Sequence, residues 1–115
     1  MASKHESVVV ITGSSTGIGF ETSLAFAHNG YRTFATMRDL SKAKSIKKLA
    51  VREQLPLQVV QMDVDDCGSV KEAIKKIFKE ERIDILINNA GYGLFGALED
   101  LTIEYNKYFI NFRLY

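Results

Sequence analysis

One run constrains this chain more than any other: Thr12-Gly13-Ser14-Ser15-Thr16-Gly17-Ile18-Gly19, set directly after the apolar stretch Val8-Val9-Val10-Ile11. It reads as a strand, a glycine turn and a helix start. Gly13 permits a tight turn with positive φ, Gly17 lets the backbone approach a ligand with no Cβ in the way, and Gly19 lets the helix pack close to the strand. The N–H groups of the first helical turn and the positive end of its dipole then point at one place, where the hydroxyls of Ser14, Ser15 and Thr16 add donors. That is a cradle for a dinucleotide pyrophosphate. Its spacing is G-x-x-x-G-x-G rather than G-x-G-x-x-G, and no Gly-Lys-Ser/Thr follows, which excludes a P-loop.

Strand and helix patterns alternate along the rest of the chain without a linker. Val8 to Thr12 reads as a buried strand, and Ile18 to His28 as a helix with Ile18, Leu24, Ala25 and Phe26 on its apolar side and Asn29-Gly30 as its stop. Tyr31 to Thr36 is a second strand. Ser41 is placed to cap a helix through about Gln54, with Lys42, Lys44, Lys47 and Lys48 toward water and Pro56 blocking extension. Leu57 to Met62 is a third strand. Asp66 or Ser69 opens a helix to about Glu81, with Val70, Ala73, Ile74, Ile77 and Phe78 at helical spacing, and Ile83 to Ile87 is a fourth strand. The pattern predicts an α/β fold: a Rossmann-type, doubly wound parallel sheet, partial at four strands plus the start of a further helix. Right-handed crossovers give the strand order 3-2-1-4. The switch point then falls between strands one and four, so Gly13 to Gly19 and Asn88 to Gly91 flank one crevice, and strand four is expected to be an open apolar edge.

Asp84-Ile85-Leu86-Ile87 runs into Asn88-Asn89-Ala90-Gly91, and this second motif converts a glycine loop into a family resemblance. The pair resembles the short-chain dehydrogenase/reductase family, whose signature is T-G-x-x-x-G-I-G near the start and N-N-A-G about 75 residues later. Both are matched without substitution, and the resemblance runs from about Val8 to about Leu101. It implies an oxidoreductase moving hydride between a nicotinamide dinucleotide and a small carbonyl or secondary alcohol. It also implies that Asn89, Ala90 and Gly91 take the adenosine side of the cofactor while Asn88 ties strand four to its neighbours; on residue type alone both asparagines are turn formers. Asp63-Val64, closing strand three, corresponds to the pair beside the adenine, although Asp63 also reads as a helix cap.

Cofactor choice turns on the end of strand two, Phe34-Ala35-Thr36-Met37-Arg38-Asp39. An NAD enzyme needs a carboxylate there for the ribose 2′-hydroxyl, and Met37 occupies the place. Arg38 follows and suits a 2′-phosphate through charge-assisted hydrogen bonds, so the expectation is NADP, with NAD the alternative carried by Asp39.

The chain has 115 residues, enough for a single domain with a core. Members of the family it resembles are about twice as long, with a catalytic serine and a Tyr-x-x-x-Lys pair in their second half. No tyrosine here has a lysine four residues on: Tyr31 meets Ala35, Tyr92 meets Gly96, Tyr105 meets Phe109, Tyr108 meets Phe112, and Tyr115 is terminal. The family's helix asparagine, which helps hold a water in a proton relay, has one counterpart, Asn111; it arrives about two residues early, a shift of roughly 200° around a helix. Two readings stand: a short-chain oxidoreductase, or a truncated dinucleotide-binding unit without turnover. A third, a partner-binding domain without nucleotide affinity, requires that NADPH not stabilise it.

A net charge of +1 gives no electrostatic reason to expect nucleic acid or an anionic membrane, and no apolar stretch approaches a membrane span. The composition fits an ordinary cytoplasmic protein, and the family resemblance implies a homo-oligomer for the complete protein. Cys67 has no partner for an internal disulfide, no cluster has metal-ligand spacing, and His5 and His28 sit in a terminus and at a helix end.

Overall fold

The computed structural model describes residues 7–80 and 82–89. In order these form β1 (Val8–Ile11), α1 (Gly17–His28), β2 (Arg32–Met37), a 3-10 turn (Leu40–Lys42), α2 (Lys44–Arg52), β3 (Leu57–Gln61), α3 (Cys67–Glu80) and β4 (Ile85–Ile87). The sheet is parallel in the order β3-β2-β1-β4, as the alternation predicted. Val9 stands opposite Thr33 on one side and Ile85 on the other, so β1 is central.

All four residues of β1 are fully buried, which is what a strand covered on both faces requires. Because side chains alternate, Val8 and Val10 join Phe34, Val60, Met62, Ala73 and Ile77 in a core beneath α3. On the opposite face Ala35, Met37, Ala43 and Ile46 pack with Phe20, Leu24, Leu57 and Val59 beneath α1 and α2.

The inward face of α1 differs from expectation. Gly19, Ser23 and Ala27 are its buried residues, whereas Ile18 is 77% exposed and Ala25 faces water. Small residues at i, i+4 and i+8 bring the helix axis close to the sheet, and the bulkier Phe20 and Leu24 then fill the space toward α2. Likewise Phe78 of α3 is 56% exposed, while Ala73 and Ile77 carry that helix's burial.

One helix start differs from expectation, and the other settles which of two expected caps serves. Ser41 does not cap a long helix: its N–H and hydroxyl donate to Asp39 Oδ1 at 2.9 and 2.7 Å, closing the 3-10 turn, and α2 begins only at Lys44, after Ala43. Asp66 caps α3, its Oδ1 accepting from Gly68 N at 2.9 Å and Ser69 N at 3.2 Å. Asp63 is therefore not the cap; its carboxylate accepts from Asp65 N at 3.0 Å within the preceding turn.

Both α1 and α2 end in the same double hydrogen-bonded cap. In α1 Tyr31 N reaches Phe26 O and Gly30 N reaches Ala27 O, with Gly30 at φ 86° and the Phe26 and Tyr31 rings in edge-to-face contact at 5.1 Å. In α2 Leu55 N reaches Ala50 O and Gln54 N reaches Val51 O, but the left-handed position is held by Gln54 at φ 53°. His28 Nε2 and Glu53 Oε1, 2.7 Å apart, tie these two helix ends together. The β4 side is thinner: Leu86 is 42% exposed.

Candidate functional site

At the carboxyl end of the sheet the chain leaves β1 and turns sharply. Gly13 has φ 64° and Gly17 has φ 62°, both in the left-handed region that favours glycine. A Cβ at Gly17 would meet nothing within 4 Å, so open space lies in front of the loop there. Gly19 is the opposite case: a Cβ would overlap the Gly13 carbonyl oxygen and stand 2.6 Å from Asn89 Nδ2. One glycine is required by conformation, the other by close approach.

Thr16 is the N-cap of α1 in extended conformation, and its side chain makes no cap hydrogen bond. The first-turn amides of Gly17, Ile18 and Gly19 thus start the helix without a side-chain acceptor, beside the open space at Gly17. No acidic residue occupies that turn, so the positive end of the helix dipole is not offset there.

The second motif meets the first directly. Thr12 N donates to Ile87 O at 3.0 Å, Thr12 Oγ1 donates to Asn88 Oδ1 at 3.2 Å, and Asn89 N donates to Thr12 Oγ1 at 2.9 Å. Asn89 Nδ2 donates to Gly13 O at 3.1 Å. Asn88 ties β4 to its neighbour as expected, and Asn89 does so too, through the carbonyl at the base of the loop. Ala90, Gly91 and Asn111 lie outside the described residues.

Ser14 departs from the expectation of a ligand-facing hydroxyl. It is fully buried, its Oγ donates to Ile11 O at 2.9 Å, and its N–H donates to Thr36 O at 2.9 Å. Both donors are turned into the protein, because the Gly13 turn directs this side chain back beneath the loop. Ser15 is half-buried, and Thr16 and Ile18 are exposed.

Farther along the sheet end, Arg38 and Asp63 line one cavity of about 420 Å³ together with Gln61, Ser69 and Lys76. Gln61 Nε2 donates to Arg38 O at 3.2 Å, and Ser69 Oγ accepts from Asp63 N at 2.9 Å, so side chains of the neighbouring elements hold both backbones. Val64 is exposed beside it. The Ser41 hydroxyl and amide hold the Asp39 carboxyl below its ordinary value, so Asp39 stays charged, with its carboxylate turned to Ser41. Ser23, Thr36 and Gln61 escaped sequence reasoning: each sits inside a helix or strand pattern with no motif of its own. A serine on the small-residue face of α1 was the one available signal. Among the described residues no group of three or more His, Cys, Asp or Glu could hold a metal ion, and no helix is long and apolar enough to cross a membrane.

Comparison with known proteins finds a family model described as short chain dehydrogenase matching residues 7–113. Retinol dehydrogenase 8 of Homo sapiens is 42% identical over 100 residues, covering 83% of this chain and 31% of that protein. The probable short-chain type dehydrogenase/reductase VdlC of Helicobacter pylori is 38% identical over 98 residues, covering 84% of this chain and 34% of that protein. Among solved structures, a metagenomic short-chain oxidoreductase in complex with NADP superposes with a TM-score of 0.74 at 26% identity, over 87% of this chain and 46% of that one. The chain thus spans about a third of the length of these curated relatives.

Proposed function

This chain belongs to the short-chain dehydrogenase family, and from that premise we propose that it binds NADP(H) along the Gly13 to Gly19 loop and serves hydride transfer between that cofactor and a small carbonyl or secondary alcohol. The observation carrying this reading is the start of α1, which the Thr16 side chain does not cap and beside which Gly17 leaves open space, while Asn89 braces the loop through Gly13 O. A phosphate there gains several N–H donors and the helix dipole at once. The donor set fits the cofactor. The amides of Ser15 to Gly19 hold the pyrophosphate, with the Ser15 and Thr16 hydroxyls beside them; Gly17 leaves room for it, and Ile18 lies at its edge. Arg38 takes the 2′-phosphate, Asp63 and Val64 take the adenine, and Asn89, Ala90 and Gly91 take the adenosine side. Ser14 contributes from beneath the loop rather than as a contact. The bound nicotinamide supplies or accepts the hydride. Asn111 is proposed for the proton relay.

A second reading has its own observation: none of Tyr31, Tyr92, Tyr105 and Tyr108 has a lysine four residues on. These 115 residues would then bind the dinucleotide without turning over a carbonyl. Thermal unfolding with NADPH, NADH or neither tests the shared part. Saturation at about 100 times the Kd adds roughly 2.7 kcal/mol. The expected result is a larger midpoint shift with NADPH than with NADH, and a reversed preference in Arg38→Glu. No shift with either nucleotide overturns the cofactor assignment. Carbonyl-dependent NADPH oxidation by the same sample separates the two readings: turnover defeats the second.

A further inference from the structure

The glycine loop is gripped from beneath by three hydroxyls, two of which lie in no motif. Ser14, Ser23 and Thr36 are each 0% exposed. The Ile11 carbonyl, last in β1, accepts from Ser14 Oγ at 2.9 Å and from Thr36 Oγ1 at 3.1 Å. Ser23 Oγ lies 2.8 Å from Gly19 O and 3.1 Å from Ser14 Oγ, and its single proton serves both acceptors. Thr36 closes the loop a second time, its carbonyl accepting the Ser14 N–H at 2.9 Å. The set therefore joins the end of β1, the loop, the first turn of α1 and the end of β2.

We propose that Ser14, Ser23 and Thr36 form a buried clasp that presets the loop for the dinucleotide, making Ser23 and Thr36 positioning residues for NADP(H) binding; this rests on the cofactor reading above. None of the three hydroxyls reaches solvent, so none can touch a ligand. What they govern is geometry. A loop containing glycines at 13, 17 and 19 has unusual backbone freedom, and a ligand that needs one arrangement binds in proportion to how often that arrangement is present. Ser23 would be satisfied by Gly19 O alone, in the ordinary back-bond to the preceding turn. Its approach to Ser14 links the helix carrying the pyrophosphate donors to the turn that aims them. Ile11 O accepts two side-chain hydroxyls, one from the loop and one from the end of β2. Water does not compete in this interior, so each bond is electrostatically stronger than at the surface.

The test uses the purified 115-residue chain, its Thr36→Val and Ser23→Ala variants and the double variant, with NADPH affinity measured by titration well below the unfolding midpoint and stability measured by urea. Valine keeps the shape of threonine, and alanine is the best helix former, so Ser23→Ala should hold its urea midpoint. Each single change should weaken NADPH binding roughly three- to tenfold, the factor that one lost hydrogen bond carries. The double variant should lose less than the product of the singles, since the groups act together. A purely structural role would move the urea midpoint and leave the affinity alone. If the wild type binds NADPH and Ser23→Ala binds it within twofold, the clasp is refuted and the cofactor site stands; should Thr36→Val fail to fold, Ser23→Ala decides alone. If the wild type binds neither NADPH nor NADH, the cofactor reading falls and the clasp with it.

Discussion

Replacing Gly19 by alanine should unfold this site far more than replacing Gly17, although both belong to one motif. At Gly19 the new Cβ would overlap Gly13 O, and it would lie 2.8 Å from Gly13 C where ordinary contact begins at 3.4 Å, so even that carbon must retreat by 3.4 − 2.8 = 0.6 Å. The obstacle is backbone, which cannot swing aside as a flexible side chain can. Overpacking of this kind costs about 1–3 kcal/mol. Moving the Gly13 carbonyl also breaks its bond to Asn89 Nδ2, a loss of about 1 kcal/mol. Alanine's better helix propensity returns about 0.5–1 kcal/mol, leaving a net loss of about 1–3.5 kcal/mol. At Gly17 nothing lies within 4 Å, and the cost is conformational, from φ 62°. A left-handed alanine costs about 1–2 kcal/mol, of which about 0.4–1 is offset by the stiffer unfolded chain. Urea unfolding followed by circular dichroism gives both values. Equal losses, or a larger one at Gly17, would refute the close-approach argument.

Gln54→Gly should stabilise the chain by about 0.5–1 kcal/mol, because Gln54 holds at φ 53° the position that Gly30 holds in the matching cap of α1; a lowered urea midpoint would contradict this. Asp66→Ala should cost about 1 kcal/mol through loss of the α3 cap, and Asp63→Ala less, since its carboxylate accepts from Asp65 N rather than from the first turn of α3; the reverse order in urea would overturn the cap assignment. The Glu53 hydrogen bond raises the His28 pKa above its ordinary 6.5, and the same bond lowers that of Glu53 below 4.5. The histidine's contribution is complete below pH 6.5 and fades as pH rises through its raised value, while the glutamate's is complete above 4.5 and fades as pH falls. The midpoint difference between wild type and His28→Ala should therefore peak near pH 5–6 and shrink on either side; a difference flat in pH would show the pair to be inert.

Much of the architecture was legible because residue types force it. Val8 to Ile11 has no polar side chain to offer water, so it had to be a strand covered on both faces, and alternation with helices left a parallel sheet in the order found. Gly13 announced its turn because few other residues tolerate that backbone angle, whereas Gly17, read as leaving room for a ligand, proved to hold a left-handed angle as well. Helix starts were harder. Ser41, Asp39, Asp63, Asp66 and Ser69 all bear capping groups, and which one serves depends on where the chain bends, which composition does not record.

The sequence alone determined the order of elements, the parallel sheet and the place where two motifs converge, since all of these follow from hydrophobic period, chirality and the special backbone of glycine. Only the tertiary structure decided the roles within that place. It turned the Ser14 hydroxyl inward, set Asn89 on a carbonyl 76 residues away along the chain, and brought Ser23 and Thr36 beneath the loop. Such roles are fixed by which polar groups remain to be satisfied once distant segments are pressed together, and a sequence read one segment at a time does not contain that pairing.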